Sequence, residues 1–203
     1  MTGDPLSDII DLTHAETTVS GGFTAGGAWA IRFPPMGKMK FFAVMKGHCR
    51  LSQDCERDPI EAHAGDVFLL SRQDSFTLDS DPDITPIDAT RLFSSDAGRF
   101  PQLNDGDECM LIGGFVRLDA ASRELLADVL PPLIHVRAGA PQAAVLRWLL
   151  NQFVSERETD LPGTRLATAH LAQLMFLQIL RVHVETTARL VGRSEERRVG
   201  TEC

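Results

Sequence analysis

The chain has no basic surplus, no long apolar run and no paired cysteines, and each absence removes a class of function. Its 20 Lys/Arg face 28 Asp/Glu, a formal charge of −8, so the positive footprint of a free-standing nucleic-acid binder is missing. No apolar stretch reaches the ~18 residues of a membrane-spanning helix. The first residues, MTGDPLSDII, have neither a cationic start nor a long apolar segment and do not read as a secretory signal. Cys49, Cys55, Cys109 and Cys203 make no C-x-x-C pair and no zinc spacing. The expected compartment is the cytoplasm, where thiols stay reduced. No G-x-S-x-G elbow and no G-x-x-x-x-G-K-[ST] loop occurs. Gly21-Gly22 and Gly26-Gly27 read instead as flexible hinges around Phe23. Cys49 and Cys109 stand in apolar strand contexts, where a buried, inert thiol is the ordinary state.

What the sequence does hold is a core-forming chain whose pattern changes once. Of 203 residues, 43% are apolar, enough for one sizeable core without disulfide staples. Residues 1–130 carry 11 Lys/Arg against 21 Asp/Glu, while 131–203 carry 9 against 7. Strand-like runs fill the first part. Trp29, Ile31 and Phe33 alternate, Phe41 to Met45 is continuous, and Cys49 and Leu51 alternate with polar neighbours. Val67–Leu70 follows a Gly65-Asp66 turn, and Phe76 and Leu78 come next. Thr90–Phe93, Cys109–Ile112 and Phe115–Leu118 are further strand candidates. Many short strands separated by turn residues favour a sandwich or barrel.

Pro131-Pro132 suits neither a helix interior nor a central strand and marks a boundary. Beyond it, Leu146, Leu149, Leu150, Phe153 and Val154 form one apolar helical stripe. Pro162-Gly163 breaks the chain, and a second helix is expected over 164–190. Its centre, residues 171–180, is apolar almost all round, the mark of a helix covered on every side. Leu171, Leu174, Met175, Leu177, Gln178 and Arg181 are therefore candidate dimer-interface residues, with a core role as the alternative. The divisions expected are a β-barrel with an N-terminal arm over 1–130, a helical dimerisation unit over 131–190 and a disordered tail over 191–203.

Taken in order, KFFAVMKGHCRL, HAGDVFLLSRQDSFTL, ECMLIGGFVRLD, LPPLIHVR, LRWLLNQF and RLATAHLAQLMFLQILRVHV resemble the cupin-type N-terminal domain of AraC/XylS-family transcription regulators. The resemblance runs from about Asp4 to Leu190. It implies a mainly β fold with C-terminal helices: a cupin-like (double-stranded β-helix, jelly-roll) barrel followed by a two-helix antiparallel unit. It also implies a domain that senses a small-molecule effector, forms a homodimer and acts without catalysis. In that family, helix-turn-helix units follow. Only 13 residues follow Leu190 here, so DNA contact is expected only through a C-terminal domain absent from this chain. An N-terminal segment around Thr18–Gly27 folding over the barrel mouth is the expected effector switch.

Many cupins bind metal, and their ligand pattern can be laid on this sequence position by position. The glutamate would fall at Lys40, the histidine pair near residues 33–36 and the last histidine at Phe76. None is a ligand type, and Lys40 would repel a divalent cation. No metal and no cofactor is expected. His48 and Cys49 are strand neighbours that point to opposite faces and do not share an ion. What remains is the barrel interior. Trp29, Phe41, Cys49, Leu51, Phe68, Leu70 and Phe76 are candidate pocket-lining residues, with Arg32, Lys40 or Arg91 as the polar group that orients a ligand. The same apolar side chains would equally fill a closed core. The rival function is a metal-independent cupin enzyme of isomerase or epimerase type, for which His63, Asp66 and the two arginines are the only acid/base candidates. A bare dimerisation module that captures a full-length relative is a third reading.

Overall fold

The computed structural model describes residues 16–35, 37–54, 58–72, 74–93, 101–141, 143–159 and 161–199. In chain order these form β1 (Glu16–Ala25), β2 (Ala30–Phe33), β3 (Met39–Lys46), β4 (His48–Gln53), β5 (Ile60–His63), β6 (Val67–Leu70), β7 (Phe76–Asp79) and β8 (Ile87–Asp88). There follow α1 (Ala89–Leu92), β9 (Gln102–Leu103), β10 (Cys109–Arg117), α2 (Ala120–Val129), β11 (Leu133–Val136), α3 (Ala143–Thr159) and α4 (Thr164–Val199). The strands make two sheets, one ordered β11-β6-β3-β10-β1-β9 and the other β5-β4-β7-β2-β8. The chain is mainly β with C-terminal helices.

The chain passes repeatedly between the sheets, and glycine makes one of these crossings possible. Gly47 joins β3 of the first sheet to β4 of the second at φ +74°, and a Cβ there would lie 2.3 Å from the Glu108 carbonyl oxygen. That is a left-handed backbone position pressed against another strand, which no other residue fills without displacement.

The alternation of side chains on β3 divides the core in two. Phe42 and Val44 point between the sheets, where they meet Phe23, Trp29, Ile31, Cys49, Leu51, Phe68, Phe76 and Leu78. Met39, Phe41 and Ala43 point the other way. They meet Leu126 of α2, Leu146, Leu149 and Leu150 of α3, and Met175, Phe176 and Ile179 of α4. A strand buried on both faces reads as a continuous apolar run, which is why the sequence pattern of 41–45 does not separate inside from outside.

Several expectations are corrected here. Among the described residues no strand pairing joins the two sheets, so they form an open sandwich and not a closed barrel. Thr18–Gly27 is no arm. Glu16–Ala25 is an integral strand, paired with β10 on one side and β9 on the other. Residues 1–15 of the expected arm lie outside the described residues. Thr90–Phe93 starts a helical turn and not a strand, because the Asp88 side chain accepts the Thr90 N–H at 2.7 Å and caps it. Cys109–Arg117 is one strand through Gly113-Gly114, not two. Helix α2 falls where none was expected, capped by Asp119 on the Ser122 N–H at 2.8 Å. Strand β11 brings Leu133–Val136, expected in the helical unit, into the first sheet beside β6. Helix α4 continues to Val199 into the expected tail, a stretch whose Arg and Glu residues favour helix; residues 200–203 lie outside the description.

Candidate functional site

One end of the space between the sheets is not filled. A cavity of about 180 Å³ lies there, lined by β1, β2, β3, β7, α1 and β10. The register of two neighbouring strands explains it. Gly21 of β1 sits opposite Gly113 of β10, so at this level two adjacent strands contribute no side chains. A Cβ built on Gly21 would meet nothing within 4 Å. Phe23, Phe33, Phe42, Phe76, Phe93, Leu78, Leu111 and Phe115 supply apolar walls. Phe33 and Phe76 stack at 4.7 Å, and Phe42 stacks on Phe76 at 6.0 Å and on Phe68 at 4.8 Å. The volume is below the ~300–1,000 Å³ of drug-sized pockets, so the space suits a small ligand or one end of a longer one.

Among the described residues the ionisable side chains on this wall are two lysines. Lys40 takes an inward position of β3, and Lys38, just before the strand, also lines the cavity. The Lys40 Nζ lies 3.7 Å from the centre of the Phe33 ring and 5.2 Å from that of Phe76. The Lys38 Nζ lies 4.3 Å from the centre of Phe115. Burial lowers the Lys40 ammonium to about 7, because desolvation penalises its charged form. Thr90 at the start of α1 is the remaining polar side chain of the wall.

The sequence candidates divide as follows. Phe76 lines the cavity. Trp29, Cys49, Leu51, Phe68 and Leu70 lie in the inter-sheet core but not on the cavity wall. Phe41 is corrected: it faces the helices, one residue out of phase with Phe42. Arg32 is also corrected. It lies on the outer face of β2 and pairs with Asp54 at 2.6 Å. Arg91 borders a separate surface recess beside Thr85, Pro86 and Ile87. Wall residues that the sequence did not nominate include Phe23, Phe33, Lys38, Phe42, Leu78, Thr90, Phe93, Leu111 and Phe115; they lie on segments whose inward faces the sequence pattern did not decide. Phe76 and Lys40 are the sequence candidates that the wall holds.

The other candidate groups serve structure. Asp66, in the β5–β6 turn, is buried and accepts the His63 N–H at 3.1 Å and the Ala138 N–H at 2.7 Å. The His135 Nε2 donates to it at 3.1 Å, the tautomer an ionised carboxylate requires. Burial pushes the Asp66 carboxyl up, but these donors outweigh it and hold its pKa below the usual range. Burial lowers the His135 pKa against the opposing pull of Asp66. His135 also stacks on Phe68 at 4.2 Å, which ties this polar staple to the aromatic stack. His48 and His63 face each other across β4 and β5 on the exposed face with ring centres 6.2 Å apart. Cys49 and Cys109 are buried free thiols. The Cys49 thiol is pushed up by its hydrogen bond to Cys109 and by burial.

On the helical side, Met175 is buried in the core beneath α4 and is corrected as an interface residue. Leu171, Leu177 and Gln178 are half-buried, Arg181 is exposed, and Leu174 is 48% exposed. Leu166 and Val184 are exposed on the same helix and Trp148 on α3. Among the described residues no helix is long and apolar enough to cross a membrane.

Comparison with known proteins places this architecture. The family described as Cupin matches residues 4–185. A protein of Streptomyces lividans described as an AraC-like transcription regulator is 37% identical over 189 residues, covering 93% of this chain and 62% of the relative. One of the same description from Streptomyces antibioticus is 37% identical over 182 residues, covering 90% of this chain and 60% of the relative. The chain thus spans about three-fifths of the length of these relatives. Among solved structures, apo ToxT from Vibrio cholerae aligns with a TM-score of 0.48 and 13% identity, over 86% of this chain and 57% of that one.

Proposed function

The chain belongs to the cupin family, and on that premise we propose that it is the effector-sensing and dimerisation part of an AraC-like transcription regulator. The observation that carries this reading is the apolar cavity with Lys40 on its wall. The curated relatives share 37% identity with it over most of its length and are described as AraC-like regulators. Recognition of DNA belongs, in this proposal, to the remainder of such a regulator, and its place of action is the cytoplasm. The two sheets act as a jelly-roll receptor, and α3 and α4 form an antiparallel pair behind it.

The effector enters between the sheets and rests its apolar body on Phe33, Phe76 and Leu111. Its polar group meets Lys40. Part of the wall is α1 with Phe93, a four-residue helical turn, so an occupied cavity favours one placement of that turn over others. Binding acts by shifting this population. The rival enzyme reading has less support, because among the described residues the cavity wall carries no carboxylate and no histidine. Of its acid/base candidates, Asp66 is committed to His63, Ala138 and His135, and Arg32 to Asp54.

A neutral, environment-sensitive fluorophore such as N-phenyl-1-naphthylamine tests the reading. It should bind the chain once, and Thr90→Trp at the cavity rim should weaken it by about tenfold with the fold unchanged. Failure of the wild-type chain to bind any such probe contradicts the proposal. The dimer forms over the exposed side of α4, where Leu166, Leu174 and Val184 remain uncovered. Leu174→Glu should give a folded monomer by sedimentation analysis. A wild-type chain that is already monomeric contradicts this part.

A further inference from the structure

We infer that Lys40 is a carbonyl-capture site: its amine forms a reversible imine with an apolar aldehyde or ketone seated in the inter-sheet cavity. The inference rests on the cavity being a ligand site and adds the chemical class of what it takes. The placement of the group is the first argument. Lys40 stands at an inward position of β3, between Met39 and Phe41 of the helix-side core, with its Nζ over the face of Phe33 and beside Phe76. Among the described residues no carboxylate lines the cavity and no ion pair to Lys40 occurs. An amine held in apolar surroundings gives up its proton readily, and its pKa near 7 leaves a substantial neutral fraction at neutral pH. A second cation, Lys38, lines the same cavity. Desolvation in an apolar pocket is a recurrent setting for a nucleophilic lysine.

The rest of the wall argues for a carbonyl over an acid. A carboxylate taken out of water needs several donors. Apart from the two ammonium groups, the Thr90 hydroxyl is the remaining side-chain donor among the described wall residues, and it already donates to Asp88 at 2.6 Å. A neutral carbonyl compound brings no charge to be desolvated. In the reaction the Nζ lone pair attacks the carbonyl carbon and opens the C=O bond. Both amine protons then leave with the carbonyl oxygen as water, and a C=N bond remains. Nothing is oxidised or reduced, and hydrolysis returns the starting compounds, as a reversible sensor requires.

The test is reductive trapping. The chain is incubated with octanal and cyanoborohydride at pH 7, and adducts are mapped by peptide mass spectrometry. N-phenyl-1-naphthylamine binding is measured on the same preparation. The expected result is one dominant adduct on Lys40, formed about tenfold faster than on the exposed Lys46 and suppressed by the fluorophore. Its rate should rise with pH and level off above about 7. Lys40→Arg keeps the charge without the nucleophile and should lose the adduct. Fluorophore binding without preferential labelling of Lys40 overturns the imine and leaves the cavity reading standing. Absence of fluorophore binding overturns the cavity reading itself. Octanoate binding more tightly than octanal in a Lys40-dependent manner also overturns the imine, because Lys40 would then act as an ammonium.

Discussion

The two faces of the six-stranded sheet use the same strands in opposite ways. Toward the helices, Met39, Phe41, Ala43, Val67 and Leu69 meet Leu146, Leu149, Phe176 and Ile179 in an apolar core. Toward the other sheet, β3 presents Lys40 beside Phe42, and Gly21 and Gly113 leave a gap between neighbouring strands. One face is filled, and the other is partly empty and carries an amine. Burial without a charge stabilises the fold, whereas an unpaired amine and a void both work against it. Under the proposed function, the contrast divides stability on the helix side from ligand recognition on the inter-sheet side, the usual opposition between a well-packed core and a working site.

Substitutions break this comparison in a graded order. The largest expected effect is on the helix side. Leu149→Ala, deep in that core, should lower stability by about 2–5 kcal/mol in chemical denaturation, with probe binding retained by the folded fraction. Next is the polar staple at the sheet corner. Asp66→Asn turns an acceptor of three N–H groups into a group with one oxygen, and should lower stability by about 1–3 kcal/mol.

On the inter-sheet side the sign should reverse. Lys40→Met keeps an unbranched chain and removes the buried amine, so stability at pH 7 should rise by about 0.5–2 kcal/mol. Its pH profile sharpens the point. The folded pKa of Lys40 is near 7 and its unfolded value 10.5, so between these the unfolded chain holds a proton that the folded chain has released. Wild-type stability should therefore climb from pH 7 toward pH 10 more steeply than that of Lys40→Met. In acid the depressed pKa values of His135 and Asp66 act in the same direction. Stability should fall as pH drops below about 6.5, where His135 would protonate in the unfolded chain, and again below about 4, where Asp66 would. Leu174→Glu should have the smallest effect on unfolding, within about 0.5 kcal/mol for an exposed site, and be visible chiefly in the oligomeric state.

The apolar stripe of α3 was legible because periodicity reports local structure directly, whereas Pro131-Pro132 does not part sheet from helix: α2 precedes it and β11 follows it. The site was harder to read. Phe41 and Phe42 are chemically identical neighbours, and only strand pairing decides which one turns toward the cavity. The gap between β1 and β10 depends on a glycine of one strand meeting a glycine 92 positions further on, a long-range register that no local pattern carries. Met175 and Leu174 likewise belong to one apolar run, yet one is buried and the other exposed, because the sheet and α3 cover only part of α4. Of the three cations the sequence offered to orient a ligand, Arg32, Lys40 and Arg91, Lys40 is the one on the described cavity wall.

The most direct test of the division between the two faces is methyl NMR of the chain titrated with N-phenyl-1-naphthylamine. The account predicts saturable shifts at Leu78, Ala89, Leu111 and Ile112, with Leu146, Leu149 and Ile179 unchanged. Shifts confined to the helix-side methyls, or to the exposed residues Leu166 and Val184, would contradict it.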